Sequence, residues 1–377
     1  MKAIIVTPYY YPKIGGLENY ARQLGIALKD LKKWEIVIVT SGDPKTGITQ
    51  GVVDKMKIYR LGRWIKLSNT PINPLWPLQI RKIIKHEKPD LIVAHTPVPS
   101  MSDSAALAAR RTPFVLVYHA ATLLKDGSVV FNIVARIYGL MELVSFSKAK
   151  KIIVVSDFVK EQMPSRIQNK VSVVPNSVWA SEISIRSSQP NYSKFLFIGS
   201  LDKTHGWKGL DQIIKAVGIC KQEFNQDIRL EVMGAGNNLP EYIKLVRDLS
   251  LNSNVKFLGA KSGKAKDAII NDATAIIIYP TTSNDAFPTA MLEAWAKGVP
   301  VISAKIGPIN SLVDNYKNGY LVEASNPRAL SEKMNEVANA SSASRQAIAK
   351  TSEIRAAKNY TWEKQADTFS TLAEGLV

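Results

Sequence analysis

The sequence predicts an α/β protein built from two Rossmann-like, doubly wound domains. Three observations carry that expectation. Short continuous apolar runs alternate with amphipathic helical stretches, as in parallel sheets buried on both faces. The alternation restarts after a polar segment near the middle of the chain. And 377 residues, 46% of them hydrophobic, exceed what one core comfortably holds.

The first domain opens on KAIIVTPYY (2–10), a strand followed by a loop carrying Gly15-Gly16. Leu17, Tyr20, Ala21, Leu24, Ala27 and Leu28 then recur at three- and four-residue steps, which predicts a helix with one buried stripe. EIVIVT (35–40), DLIVAH (90–95), FVLVYHA (114–120), KIIVVS (151–156) and VSVVPNS (171–177) read as further strands. SEISIRSSQPNYS (181–193) is the expected linker. The second domain begins with the strand KFLFIGS (194–200) and a helix whose face carries Leu210, Ile213, Ile214 and Val217. IRLEVMG (228–234), VKFLG (255–259), TAIIIYP (274–280) and VPVISA (299–304) continue the alternation, and TWEKQADTFSTLAEGL (361–376) closes the chain as a helix. The expected domains are 1–183 and 184–360. They are expected to face a central cleft at the C-terminal ends of both sheets, where open α/β folds bind ligands.

Composition narrows the function classes. One cysteine, Cys220, excludes an intramolecular disulfide and a cysteine-built metal cluster. His86, His95, His119 and His205 show no paired metal-ligand spacing, so no metal site is expected. The stretch SVVFNIVARIYGLMELVSF (128–146) is interrupted by Arg136 and Glu142 and falls short of a membrane span. No signal peptide is read at the start, and the expected compartment is cytoplasmic. The net charge of +17 is uneven: residues 1–185 hold 26 Lys+Arg against 13 Asp+Glu, the remainder 23 against 19. A basic first half fits an anionic partner or surface, or is a solubility trait. No interleaved basic and aromatic motif for reading bases is present, so nucleic acid is not an expected partner.

Candidate chemistry gathers at strand ends. Lys208 lies just before a helix, with Lys203 in the same loop; cations beside free helix N–H groups suggest a phosphate or diphosphate site, against a bland reading as two solvated lysines. Gly15-Gly16 and Gly234 permit close backbone approach, yet neither makes a full dinucleotide fingerprint. In SNDAFPTAMLEAWAKGVPVISA (283–304), Pro288 fits the first turn of a helix that Gly298 stops. Asp285 and Glu293 lie eight residues apart, about 12 Å at helical rise, near the length of a nucleotide diphosphate-sugar. Carboxylates accept hydrogen bonds from vicinal hydroxyls. Ordinary solvated acids at the same positions remain an equal reading on spacing alone. His119 ends a strand facing the expected cleft and is either a donor to a sugar oxygen or a core histidine.

Taken in order, these segments resemble the retaining glycosyltransferases of family 4, with GT-B architecture, over nearly the whole chain. PYYYPKIGGLENYARQLGIAL resembles that family's Gly-Gly loop and first helix, VYHA its histidine segment and VSDFVKEQM its Ser-x-x-x-Lys helix start. VVPNSV is similar to its Pro-Asn-Gly-Val turn, and FIGSLDKTHGWKGLDQIIKAV to its donor-domain strand, basic loop and helix. DAFPTAMLEAWAKGVPVI, followed by KNGYLV, resembles its E-x7-E element. The resemblance implies transfer of a sugar from a nucleotide diphosphate-sugar donor to a glycan or lipid-linked acceptor, with no cofactor and no obligatory metal. It implies that Lys208, helped by Lys203, neutralises the leaving diphosphate, and that Glu293 binds ribose and Asp285 the donor sugar. Backbone N–H groups of Phe287, Pro288, Thr289 and Ala290 (Pro288 contributing none of its own) would surround that sugar. Gly16 would approach the diphosphate, Phe257 and Leu258 the base, and His119 the sugar. The final helix, 361–377, would pack back on the first domain. The basic segment 61–88 would lie on anionic lipid, peripheral at the membrane face. Three positions depart from the family: Asp285 where glutamate is usual, Ser200 where arginine is usual, and Ser177 with Trp179 in the Pro-Asn turn. A non-catalytic donor- or membrane-binding subunit and a GT-B nucleotide-sugar epimerase are the competing expectations.

Overall fold

The structure is a computed structural model that describes residues 1–13, 15–44, 47–67, 70–120, 138–139, 142–184 and 193–377. Most of the 128–146 stretch and residues 185–192 of the expected linker lie outside the described residues. Contacts divide the chain into one unit of Met1–Asn176 with Trp362–Val377 and a second of Ser177–Thr361.

The first unit is built on an eight-stranded sheet in the order β10-β9-β8-β7-β1-β2-β4-β3. Its strands are β1 (Lys2–Thr7), β2 (Glu35–Pro44), β3 (Ile48–Val53), β4 (Met56–Arg63), β7 (Leu91–Thr96), β8 (Phe114–Tyr118), β9 (Lys151–Val154) and β10 (Val171–Val173). All pair in parallel except β3 with β4. β1 lies between β2 and β7, so chain progression reverses there, and side chains carried just past these strand ends converge. Ala3 to Val6 are fully buried because helices cover both faces of this strand, which is why β1 reads as an unbroken apolar run. β5 (Ile65–Leu67) and β6 (Thr70–Ile72) form a separate antiparallel hairpin.

The terminal helix, Trp362–Glu374, belongs to this unit. Trp362 is 2% exposed and meets Tyr20 edge-on at 5.3 Å; Phe369 meets Trp34 at 6.5 Å. Lys32, at the C-terminal end of the Gly16–Lys32 helix, forms an ion pair with Asp367.

The second unit carries six parallel strands in the order β13-β12-β11-β14-β15-β16. They are β11 (Lys194–Ile198), β12 (Arg229–Met233), β13 (Val255–Gly259), β14 (Ala275–Ile278), β15 (Val301–Ala304) and β16 (Tyr320–Val322). The reversal falls between β11 and β14. Residues 177–184 pack with this unit: Val178 bridges to Thr361, and the Ser184 N–H donates to the Ala296 carbonyl at 2.8 Å.

Five strands escaped the apolar-run criterion: β4, whose buried positions are interrupted by Lys57 and Arg60, and four more. β3 is an exposed edge strand with no buried face, β5 is exposed throughout, and β6 and β16 are three residues each. The described residues contain no helix long and apolar enough to cross a membrane.

Candidate active site

In the second unit, the loops leaving β11 and β14 are clasped together at the point where strand order reverses. The chain leaves β11 through Gly199, forms a 3-10 turn over Lys203–Lys208, and starts the Leu210–Glu223 helix at Gly209. Gly209 sits at φ 71, ψ 24, and a Cβ there would lie 2.1 Å from the Tyr279 carbonyl oxygen. Only glycine fits that approach. The Thr281 N–H seals it by donating to the Trp207 carbonyl at 2.7 Å. Lys208 is thereby carried beside the β14 loop, its Nζ 3.6 Å from Asp285 Oδ2. Its ammonium also lies 4.7 Å from the centre of the Trp207 ring.

The helix bearing Glu293 runs from Thr289 to Ala296, with Pro288 as its N-cap and no side-chain cap. The eight-residue helical span expected between Asp285 and Glu293 is therefore corrected: only the part from Thr289 onward is helical, because Pro288 is extended at ψ 102. Asp285 does not cap the helix either. Its Oδ1 accepts the Phe287 N–H at 3.2 Å, holding the turn that precedes Pro288. The N–H groups of Thr289 and Ala290 open the helix, where no intrahelical partner exists for them. Phe287 contributes backbone only to this surface, since its ring is 5% exposed and packs on Tyr360 at 5.6 Å.

Glu293 is not a solvated surface acid. Its carboxylate is 30% exposed and accepts Lys266 Nζ at 2.7 Å. Burial raises its pKa, with Lys266 opposing the shift and Glu182 and Asp267 adding to it. Lys266 escaped the sequence reading: it lies 27 residues from its partner, on the Gly263–Asn271 helix, and no local spacing marks it.

The other expected donor-side residues divide between the surface and the framework. Lys203 is exposed, and its ammonium makes no ion pair among the described residues, so the structure does not bring it to Asp285 beside Lys208. Gly234 has a packing reason: a Cβ would lie 1.8 Å from the Gly199 carbonyl oxygen. That contact, with the Leu201 N–H bonded to the Ala235 carbonyl at 2.9 Å, locks the loops after β11 and β12. Ser200, where arginine was expected, donates to Asp202 Oδ2 at 3.0 Å, and the Asn237 N–H donates to Asp202 Oδ1 at 3.0 Å. The Asn237 backbone bond, then Ser200, hold the Asp202 carboxyl below its ordinary value. Phe257 packs on the hydrophobic core, while Leu258, half-buried, falls at the register shift between β12 and β13.

In the first unit, His119 follows β8 and stacks on His95 at the end of β7, rings 5.1 Å apart and 16° from parallel. His95 Nδ1 and His119 Nε2 are 2.9 Å apart, one donating and the other accepting. Tyr20 meets the His119 ring edge-on at 4.8 Å and donates its hydroxyl to the Val174 carbonyl at 2.9 Å. Burial holds His95 well below the ordinary histidine value, with His119 adding, and pushes His119 down to about 3. Both rings are neutral near pH 7, so the pair is a fixed hydrogen-bonding group and not a cation. Gly15 is the N-cap of the Gly16–Lys32 helix; a Cβ at Gly16 would meet nothing within 4 Å, whereas one at Gly15 would strike the folded-back Glu18 carboxylate. Among the described residues no cluster of three or more His, Cys, Asp or Glu could hold a metal ion.

Comparison with known proteins agrees with this architecture. The family model described as Glycosyltransferase Family 4 matches residues 14–181, and that for Glycosyl transferases group 1 matches residues 181–354. An uncharacterized glycosyltransferase of Methanocaldococcus jannaschii is 22% identical over 394 residues, covering 100% of this chain and 99% of that protein. The phosphatidyl-myo-inositol mannosyltransferase of Mycobacterium leprae is 21% identical over 337 residues, covering 88% and 86%. Among solved structures, Anabaena HepE in complex with UDP matches with TM-score 0.77 at 17% identity, covering 100% of both chains. The sucrose-phosphate synthase of Thermosynechococcus elongatus matches with TM-score 0.78 at 17% identity, covering 100% and 98%. With consecutive family models matched from residue 14 to residue 354 and two Rossmann-like sheets of parallel strands, this chain belongs to the group 1, family 4 glycosyltransferases of GT-B fold.

Proposed function

We propose that this glycosyltransferase moves a sugar from a nucleotide diphosphate-sugar to a glycan or lipid-linked acceptor with retention of anomeric configuration, and needs no metal to do so. The observation that carries the reading is the meeting of Lys208, Asp285 and the Thr289–Ala296 helix N-terminus where strand order reverses in the second unit. A cation beside free helix N–H groups favours a diphosphate, and an adjacent carboxylate accepts from sugar hydroxyls. Glu293, one helical turn on, takes the ribose hydroxyls, displacing or sharing Lys266. HepE, a structural neighbour, binds UDP, which supports a nucleotide donor here.

In the proposed reaction the bond between the anomeric carbon and the diphosphate oxygen breaks, and the electron pair leaves with the nucleoside diphosphate. Lys208 stabilises that developing charge, a contribution that operates in the transition state more than in the ground state. The acceptor hydroxyl oxygen bonds the anomeric carbon on the face the diphosphate vacates, and its proton passes to a departing phosphate oxygen. Asp285, held by the Phe287 N–H, fixes the sugar. The first unit is the acceptor side, with His119 as a neutral hydrogen-bonding group and a basic surface suited to an anionic membrane face.

The test is a thermal-shift screen against UDP-, GDP-, ADP- and TDP-sugars with Lys208→Ala and Glu293→Ala alongside. Stabilisation by one donor, lost in both variants, is expected; stabilisation by none, with the protein folded, rejects donor binding. NMR of the product's anomeric proton then decides retention, and transfer that collapses in EDTA rejects the metal-free assignment.

A further inference from the structure

Lys208 is partnered unlike the other half-buried lysines of the second unit. Lys194 donates to Asp272, Lys266 to Glu293 at 2.7 Å, Lys297 to the Glu182 carbonyl at 2.8 Å and Lys333 to the Tyr316 hydroxyl at 2.6 Å. Each of these commits N–H donors to a fixed acceptor of the protein. The Lys208 ammonium donates to no acceptor among the described residues. Its ion-pair partner, Asp285 Oδ2 at 3.6 Å, lies beyond hydrogen-bonding distance. Yet Lys208 is not a loose surface lysine, since its side chain is 27% exposed and is confined by Gly199, Trp207 and Asp285.

The stem crosses the end of β11, where a Cβ on Gly199 would come within 3.1 Å of Lys208 Cδ. The ammonium lies over the Trp207 ring, 4.7 Å from its centre, within the range at which an indole face attracts a cation. Trp207 is half-buried, and the β14 loop fixes its backbone: the Trp207 carbonyl accepts the Thr281 N–H at 2.7 Å and the Thr281 hydroxyl at 3.3 Å. Holding a lysine in one place costs rotamer freedom, which some attraction must offset before a ligand arrives. A carboxylate at hydrogen-bonding distance can supply that attraction, but it takes N–H donors that a phosphate needs. An aromatic face attracts the charge without accepting a directed bond from each N–H. Asp285 is also the weaker anchor once sugar hydroxyls engage it, whereas the ring keeps its place.

We propose that Trp207 is the positioning residue for Lys208: its ring holds the ammonium beside Asp285 with every N–H donor left free for phosphate oxygens. The inference rests on the reading of Lys208 as the cation that meets the leaving diphosphate. On that reading the lysine breaks no hydrogen bond to the protein when the diphosphate arrives, and its whole donor capacity faces the charge that leaves with the nucleotide. Trp207 acts through Lys208 and not on the reacting atoms.

A double-mutant cycle read by titration calorimetry with UDP, GDP, ADP and TDP tests it. Trp207→Leu removes the ring and leaves the carbonyl that Thr281 binds, so the clasp between the β11 and β14 loops persists. It is expected to weaken the nucleoside diphosphate that wild type binds by about 3- to 30-fold, the size of one cation–π contact. Trp207→Phe keeps an aromatic face and is expected to recover most of that loss. In a Lys208→Met background, where no ammonium is left to hold, Trp207→Leu and Trp207→Phe are each expected to change affinity by less than about twofold. Either substitution can close the cycle, so it can be read from Trp207→Phe if the leucine variant does not fold. Equal losses with and without Lys208 overturn the proposal, because the ring then acts as framework; so does a Trp207→Leu protein that binds as wild type does. Wild type and Lys208→Met that bind alike remove Lys208 from the diphosphate and reject the reading beneath the proposal, as does a wild type that binds none of the four. A Lys208→Met loss with no Trp207 dependence rejects this inference alone.

Discussion

Replacing Gly209 with alanine should damage both the stability of the second unit and its grip on the donor. The added Cβ would stand 2.1 Å from the Tyr279 carbonyl oxygen and 3.4 Å from Thr281 Cγ2, where non-bonded carbon and oxygen need about 3 Å or more. The β11 and β14 loops must therefore separate by about 1 Å, a shift large enough to disturb catalytic geometry. Alanine held at φ 71 costs about 1 kcal/mol relative to glycine. Weakening the 2.7 Å bond from Thr281 to Trp207 adds about 1 kcal/mol. Backbone displacement in a close-packed loop adds about 1 kcal/mol more. The sum, about 3 kcal/mol, corresponds to a fall in Tm of about 6–12 °C for a domain of this size. Lys208 is the preceding residue, so its ammonium should move from Asp285 and donor affinity should drop with it. Differential scanning calorimetry with and without the stabilising donor measures both effects. Lys208→Met is the comparator: it should lose donor affinity with a smaller fall in Tm, because methionine keeps the packed apolar stem and removes only the ammonium, 3.6 Å from Asp285. A Gly209→Ala protein that melts within about 1 °C of wild type and binds donor equally well would refute the claim that this close approach positions Lys208.

Other perturbations have defined outcomes. Lys208→Met should lower kcat/KM by about 100- to 1000-fold if it stabilises the leaving diphosphate, and a loss under about threefold in steady-state transfer would remove it from that role. Lys266→Met removes the cation that opposes the raised Glu293 pKa, so that pKa should rise further. Donor binding that needs the carboxylate should then fail at a higher pH on acidification, as titration calorimetry across pH 5–8 would show. The histidine pair should make the first unit acid-sensitive. Its folded pKa values lie below the unfolded value, so the associated stability is complete above about pH 6.5 and is lost as pH falls through the folded values. For His119, which keeps some exposed surface, this amounts to about 1–2 kcal/mol between pH 7 and pH 5, read from urea midpoints of wild type against His119→Asn.

What the sequence disclosed and what it hid follow from the range of the interactions involved. Strands such as β1 and β11 are buried on both faces, so burial itself writes an apolar run into contiguous residues. Lys208 could be found because the loop, the glycine and the helix start that give it meaning are adjacent in the chain. Asp285 and Glu293 were identified together, but their separation was drawn from an unbroken helix that the extended backbone at Pro288 does not allow. His95 was legible as a weaker strand-end candidate, but its pairing with His119, like that of Lys266 with Glu293, owes its place to strand order, which brings residues 24 and 27 positions apart into hydrogen-bonding range and leaves no local trace. The glycines at 209 and 234 belong with them: each admits no Cβ because a loop from another strand, at Tyr279 and at Gly199, comes against it, and nothing adjacent in the chain announces that approach.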